Sequence, residues 1–268
     1  MKARFFTVLG IILMAAQVPA FAGDDDSEAK FGTRYSIGAD KKIAKGFHVF
    51  ADEEIRLYGV NAVDRLYTNV GTSYKVNDYL KLGLGYSAIS VQREDLLGEM
   101  YWDWRHRATA DITGMIKAAD FKFSLKERFQ ATYKTRDINT YEQPKTAMAL
   151  KSRFKVAYQR PGMTIEPYVF VEHRLCLNGA KWDENSTTEY YRNSSYIGNS
   201  DVYTSRIRAQ LGFQWRLTKH SAIDAYALFD RVTDKVIEAK RTKGTLKLPI
   251  FSVDSNYGAA GIGYTFLF

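Results

Sequence analysis

The sequence predicts an all-β protein: a transmembrane, antiparallel up-and-down β-barrel of about ten strands, with short periplasmic turns and long extracellular loops. Three observations predict it. Long segments alternate apolar and charged residues with period two, the pattern of a strand whose two faces meet different surroundings. The links between these segments alternate short and long. The chain opens on an export signal and closes on Ile262, Tyr264, Phe266 and Phe268 at alternate positions.

Residues 1–22 read as a secretory signal peptide. Met1 to Arg4 is a short basic start, Phe5 to Met14 an apolar run, and Ala20-Phe21-Ala22 a small-residue cleavage site. The run is too short for a membrane anchor helix, and Pro19 closes it. Cleavage after Ala22 leaves one domain, 23–268, that begins with the acidic residues Asp24, Asp25 and Asp26. Loss of Lys2 and Arg4 lowers the net charge from +8 to +6. Cys176 is the single cysteine, which excludes an internal disulfide framework. An exported chain without disulfides needs a large core or a closed sheet. No later stretch approaches 18 apolar residues, so the expected crossing is by strands.

Ten segments read as strands: 47–58, 65–76, 80–91, 101–117, 121–135, 145–159, 164–177, 202–217, 222–232 and 257–268. Short links fall at 77–79, 118–120, 160–163 and 218–221; long ones at 92–100, 136–144, 178–201 and 233–256. This order puts both ends of the barrel on the short-turn side. Residues 31–39 also alternate, and Lys45-Gly46 could turn them into the next strand. Such a strand would run parallel to the last one. An all-antiparallel closure would then recruit 245–253, so twelve strands is the alternative.

The stretch Tyr101 to Arg107, YWDWRHR, shows how the faces divide. Trp102 and Trp104 share a parity with Tyr133, Phe154, Tyr158, Phe213, Trp215, Ile223 and Phe229, the parity expected to face lipid. Trp102, Trp104, Tyr158, Trp215, Phe266 and Phe268 are the expected interfacial girdles. The opposite parity carries Asp103, Arg105, Arg107, Arg128, Arg153, Glu166, Glu172, Arg174, Arg206 and Arg208. Arg56, Lys122, Lys126, Lys151, Lys155, Arg216, Asp52, Glu54, Asp111, Asp224 and Asp230 complete it. So many charges are costly in a dry core and ordinary in a wet or ion-paired barrel interior. Glu53, Glu127 and Ser205 fall on the lipid parity. Either a β-bulge flips the local register or they lie beyond the bilayer.

The final aromatic resembles the C-terminal signature of bacterial outer-membrane barrels, which implies recognition of Phe268 by the barrel-insertion machinery. The runs WRHRATADI, SLKERFQATYK, ALKSRFKVAYQ, IEPYVFVEHRL and SRIRAQLGFQWRLTKHSAIDAYALFD resemble an uncharacterised family of bacterial outer-membrane barrels, a domain of unknown function of the "twenty-four ninety" type. Its marks correspond here to Arg105/Arg107, Arg206/Arg208, Pro167-Tyr168 with Glu172/Arg174, and Phe268. The resemblance implies fold and outer-membrane location and no activity.

Function is read from the interior. Basic residues outnumber acidic ones by 13 to 8 on the lumen parity. The barrel is either filled by arginine–carboxylate pairs, the reading placed first because about ten strands enclose little space, or a narrow anion-preferring pore lined by Arg105, Arg107, Arg153, Arg206 and Arg208. Two alternatives are a lipid hydrolase or acyltransferase using His173 and Ser205 on the outer wall, and a surface binding protein using loop 178–201 with Tyr190, Tyr191 and Tyr196. The chain lacks the His-x-Ser-Asn-Gly run of outer-membrane phospholipases, and the expectation is no enzyme. Histidines 48, 106, 173 and 220 show no metal-ligand spacing. No cofactor, metal or nucleic acid is expected. The expected partners are the lipid bilayer, the insertion machinery and small anionic solutes, with the barrel a monomer.

Overall fold

The computed structural model describes residues 30–59, 62–94, 99–136, 144–182, 196–237, 240–242, 245–247 and 250–268. The signal peptide and Asp24 to Asp26 lie outside the described residues, as do Tyr190 and Tyr191. Thirteen strands follow in chain order: β1 Lys30–Ala44, β2 Phe47–Tyr58, β3 Ala62–Lys75, β4 Leu80–Glu94, β5 Met100–Ala118, β6 Phe121–Lys134, β7 Thr146–Tyr158, β8 Ile165–Trp182, β9 Tyr196–Thr218, β10 Ser221–Ile237, β11 Lys240–Thr242, β12 Thr245–Lys247 and β13 Ile250–Leu267. Eleven close into one barrel in the order β1-β13-β10-β9-β8-β7-β6-β5-β4-β3-β2. β11 and β12 form a separate two-stranded hairpin.

Eleven strands correct the expectation of ten and its alternative of twelve. β1 is a barrel strand, antiparallel to β2 and parallel to β13, from Lys30 opposite Tyr257 to Asp40 opposite Leu267. A parallel ladder satisfies backbone groups as an antiparallel one does, with slanted bonds, so closure needs no twelfth strand. The segment 245–253 divides: Thr245–Lys247 pairs with Lys240–Thr242, and Ile250 onward belongs to the last strand. A second correction follows from the odd count. Strands that alternate in direction an odd number of times end opposite to where they start. β1 therefore begins at the long-link rim, while β13 finishes at the short-turn rim.

The short-turn rim is built from tight reversals. Ala44 pairs with Phe47 across Lys45-Gly46, and Ala118 with Phe121 across Ala119-Asp120. Gly46 and Ala119 hold φ of 76° and 50°, the left-handed conformation such turns need. At the other rim the strands run further than the sequence suggested. β8 continues to Trp182, β9 starts at Tyr196, and β10 reaches Ile237. Barrel strands of 12 to 23 residues exceed the ~9–11 that cross a bilayer.

The polarity of the wall is inverted relative to a water-soluble domain. Leu84 and Leu211 are each 65 % exposed on the outside, in company with Ile112, Ile116, Phe154 and Phe229. Inside, Glu172 is 2 % exposed and Asp103 3 %. Trp102, Trp104, Trp215, Phe266 and Phe268 are outward and exposed, as the alternation predicts. Tyr158 is half-buried, with its ring 5.2 Å from that of Phe121. Near the closing strand the interior is filled by aromatic rings over glycine. A Cβ on Gly261 would lie 2.2 Å from the ring of Tyr226, its cross-strand partner.

Candidate functional site

The candidate site is the charged interior. Its residues arrive there because period-two alternation and barrel closure aim every second side chain inward. Cross-strand register then decides which charges meet.

Four carboxylates organise most of it. Glu172 on β8 is shared by three strands. Its directly opposite partner Arg153 on β7 donates Nε and Nη2 to Oε2 at 2.9 and 2.6 Å. Arg206 on β9 donates to Oε1 at 2.7 Å, and the Lys151 ammonium lies 3.6 Å from that oxygen. Asp230 on β10 accepts a two-bond fork from Arg208, both bonds at 2.6 Å, with Arg34 of β1 at 3.9 Å. Asp111 on β5 accepts a fork from Arg128 at 2.6 and 2.7 Å and is joined by Lys126 at 2.7 Å. Asp103 takes Arg105 along its own strand at 2.8 and 2.9 Å and Arg93 at 3.6 Å. Each of the four is held by two or three cations.

Beyond these, Glu54 pairs with Arg56, whose guanidinium lies over the Tyr67 ring at 4.1 Å. Glu166, near the short-turn rim, accepts from Gln159 at 2.6 Å and lies 3.5 Å from Arg216. Asp224 accepts from Tyr168 at 2.9 Å, and Asp52 from Asn69 at 2.7 Å. Arg107 and Arg174 differ from the other predicted lining arginines. Arg107 donates to Thr132 at 3.0 Å, and neither makes an ion pair among the described residues. Below the network, Lys75, Lys81, Lys117 and Lys122 line a mouth cavity of about 560 Å³ with His48 and Asp78. Among the described residues Lys75 is the one of these lysines that is paired, to Asp78 at 2.5 Å, and that contact holds the Asp78 carboxyl below its usual pKa.

The sequence reading missed Arg34, Arg65 and Arg93 as interior groups, together with the mouth lysines Lys75, Lys81 and Lys117; Lys122 it placed on the lumen parity. Arg34 was findable, because Tyr35 and Ile37 bracket the outward parity of β1. The mouth was not, because four separate elements build it.

The outer wall resolves the three misplaced residues. Glu53 and Glu127 do face outward, each accepting a hydroxyl from the next strand: Thr68 at 2.9 Å and Ser152 at 2.6 Å. Ser205 sits at a register shift, where the β8–β9 pairing jumps from Arg174–Arg206 to Leu175–Thr204. Its hydroxyl donates to the Arg174 carbonyl at 3.3 Å. His173 meets Thr204 at 2.9 Å through Nε2. The structure thus gives His173 and Ser205 different partners and does not join them as nucleophile and base. At the long-link rim the outer wall becomes polar: Arg231 and Thr233 hydrogen-bond Asp254 at 2.7 and 2.6 Å. These bonds hold the Asp254 carboxyl below its usual pKa. The tyrosine-rich part of loop 178–201 falls largely on 183–195, outside the described residues. Among the described residues no group of His, Cys, Asp or Glu is arranged to hold a metal ion.

Compared with known families, residues 31–236 match DUF2490, described as a protein of unknown function. That span runs from β1 through nearly all of β10 and contains Arg105/Arg107, Pro167-Tyr168, Glu172/Arg174 and Arg206/Arg208. No curated protein matches the chain.

Proposed function

We propose that this chain, which belongs to the DUF2490 family, is an outer-membrane β-barrel whose charge-packed interior gives small anions a narrow passage in preference to cations. One observation carries the reading: apolar and aromatic side chains cover the outside while ion pairs fill the inside. In water that outer wall would be a large exposed apolar surface prone to association. In a bilayer it is the lipid-facing belt. The signal-like start and the final aromatic support export to the outer membrane, where the insertion machinery would read Phe268.

Small-anion preference follows from the surplus of cations. Glu172, Asp230, Asp111 and Asp103 are each already held by two or three basic groups, Arg107 and Arg174 remain over, and the mouth adds Lys81, Lys117 and Lys122, which make no ion pair among the described residues. Arginine stays charged at any physiological pH, so the positive field is permanent. The same pairs that fill the lumen keep the passage narrow. The barrel acts as a monomer, with the bilayer as its partner and no catalytic step.

The test is conductance of the refolded protein in a planar bilayer under a salt gradient. Small, stable steps with a reversal potential on the anion side are expected, moving toward zero in Arg105→Ala or Arg206→Ala. A correctly inserted but silent barrel would sink the passage reading.

A further inference from the structure

Arg107, Arg174 and Arg206 come from β5, β8 and β9 and share the inward parity of the barrel. Arg174 and Arg206 stand directly opposite each other across β8 and β9. Among like charges, Arg174 acts most strongly on Arg107. Lys151 stands directly opposite Arg174 on the other side, across β7 and β8. The carboxylate within reach is Glu172: its Oε2 takes two bonds from Arg153, and its Oε1 takes one from Arg206 at 2.7 Å and lies 3.6 Å from the Lys151 ammonium, so Arg107 and Arg174 are left over. The buried Nε atoms of Arg174 and Arg206 have no hydrogen-bond partner. Asp234, the next carboxylate in the field of Arg174, is exposed toward the long-link rim.

Buried guanidinium groups left without counter-charge are destabilising. In this row the register sets cation opposite cation, Lys151 to Arg174 and Arg174 to Arg206, and Arg107 and Arg174 make no ion pair among the described residues. Guanidinium planes offer paired N–H groups whose spacing matches the oxygens of a phosphate or carboxylate. We propose that Arg107, Arg174 and Arg206 form a binding site for a small oxyanion inside the barrel. The inference rests on the reading that the interior favours anions, but it concerns an equilibrium site, not passage.

The test uses the chain from Gly23 to Phe268, refolded in detergent, with inorganic phosphate as the probe at constant ionic strength. Thermal midpoint and calorimetric titration are the readouts. Phosphate should raise the wild-type midpoint, because a ligand that binds only the folded state stabilises it. Arg107→Gln and Arg174→Gln should each weaken phosphate binding roughly tenfold, the weight of one charge-assisted hydrogen bond. Both should fold, since each removes like-charge repulsion, and their phosphate-free midpoints should equal or exceed that of the wild type. Absence of phosphate binding, or equal binding in Arg174→Gln, overturns it. Anion-selective conductance without phosphate binding would leave the passage reading standing alone. Binding through these arginines in a silent barrel would leave the site standing alone.

Discussion

Arg208 and Asp230 lie directly opposite each other across β9 and β10, joined by two N–H···O bonds of 2.6 Å in an almost fully buried position. The geometry fixes register as well as charge, because the fork closes only when the two strands are in step. Asp230→Ala leaves Arg208 and Arg34 without their counter-ion and should destabilise the barrel by about 3–5 kcal/mol. Arg208→Ala/Asp230→Ala together should cost clearly less than the sum of the single changes. Urea unfolding of the refolded barrel, read as a double-mutant cycle, measures the difference.

Glu172 is the negative centre of the β7–β9 cluster. Glu172→Gln keeps its shape and removes its charge, so Lys151, Arg153 and Arg206 lose their shared acceptor. The expected result is a barrel less stable by about 3 kcal/mol or more and, in a bilayer, a stronger preference for anions. A shift of the reversal potential toward cations would contradict the proposed field.

Leu211 lies on the outer wall of β9, between its register partners Val169 on β8 and Ala227 on β10, and is 65 % exposed. Leu211→Arg should lower stability in lipid vesicles by about 2–4 kcal/mol, the cost of a cation near the bilayer midplane. A surface change of this kind in water is usually within ±0.5 kcal/mol. Unfolding in vesicles therefore separates a lipid-facing wall from a solvated one.

Gly261 lies beneath the Tyr226 ring in the interior, where an added Cβ would overlap it. Gly261→Ala should destabilise by about 1–3 kcal/mol through overpacking. Tyr226→Ala in the same chain should recover part of that loss, since it removes the atoms that clash. Thermal melts of the three variants give the comparison.

At the long-link rim the Arg231–Asp254 pair should respond to pH. Hydrogen bonding holds the Asp254 carboxyl below the 3.8 of a free aspartate. The contribution of the pair is therefore complete above about pH 4 and fades as pH falls through the lowered value. Carbon NMR of the Asp254 carboxyl should show that low midpoint in the wild type and a return toward 3.8 in Arg231→Ala.

Much of this fold was legible because alternation is a local signal. Trp102, Asp103, Trp104 and Arg105 announce both faces of β5 without any knowledge of its neighbours. Phe266 and Phe268 do the same for β13. Strand number was not legible, because parity says which way a side chain points and nothing about the strand beside it. Residues 31–39 had the right pattern, but their parallel partner lies more than 200 positions away. Parity likewise offered a set of candidate interior charges, which left out Arg34, Arg65 and Arg93, while their pairing depends on register. Nothing in the local sequence of Glu172 indicates that Lys151, Arg153 and Arg206 converge on it. Ser205 was conspicuous by parity, and the pairing jump beside it supplies the reason.

The parallel seam between β1 and β13 gives the molecule two distinguishable poles. A marker placed just before Lys30 reports on the long-link rim, and one attached after Phe268 reports on the opposite rim. The two ends can carry independent probes at opposite rims of the barrel, but no short linker can join them into a circle. The seam also unites the earliest and latest synthesised parts of the barrel. Until the last strand has left the ribosome, β1 lacks one of its two neighbours and the cylinder cannot shut.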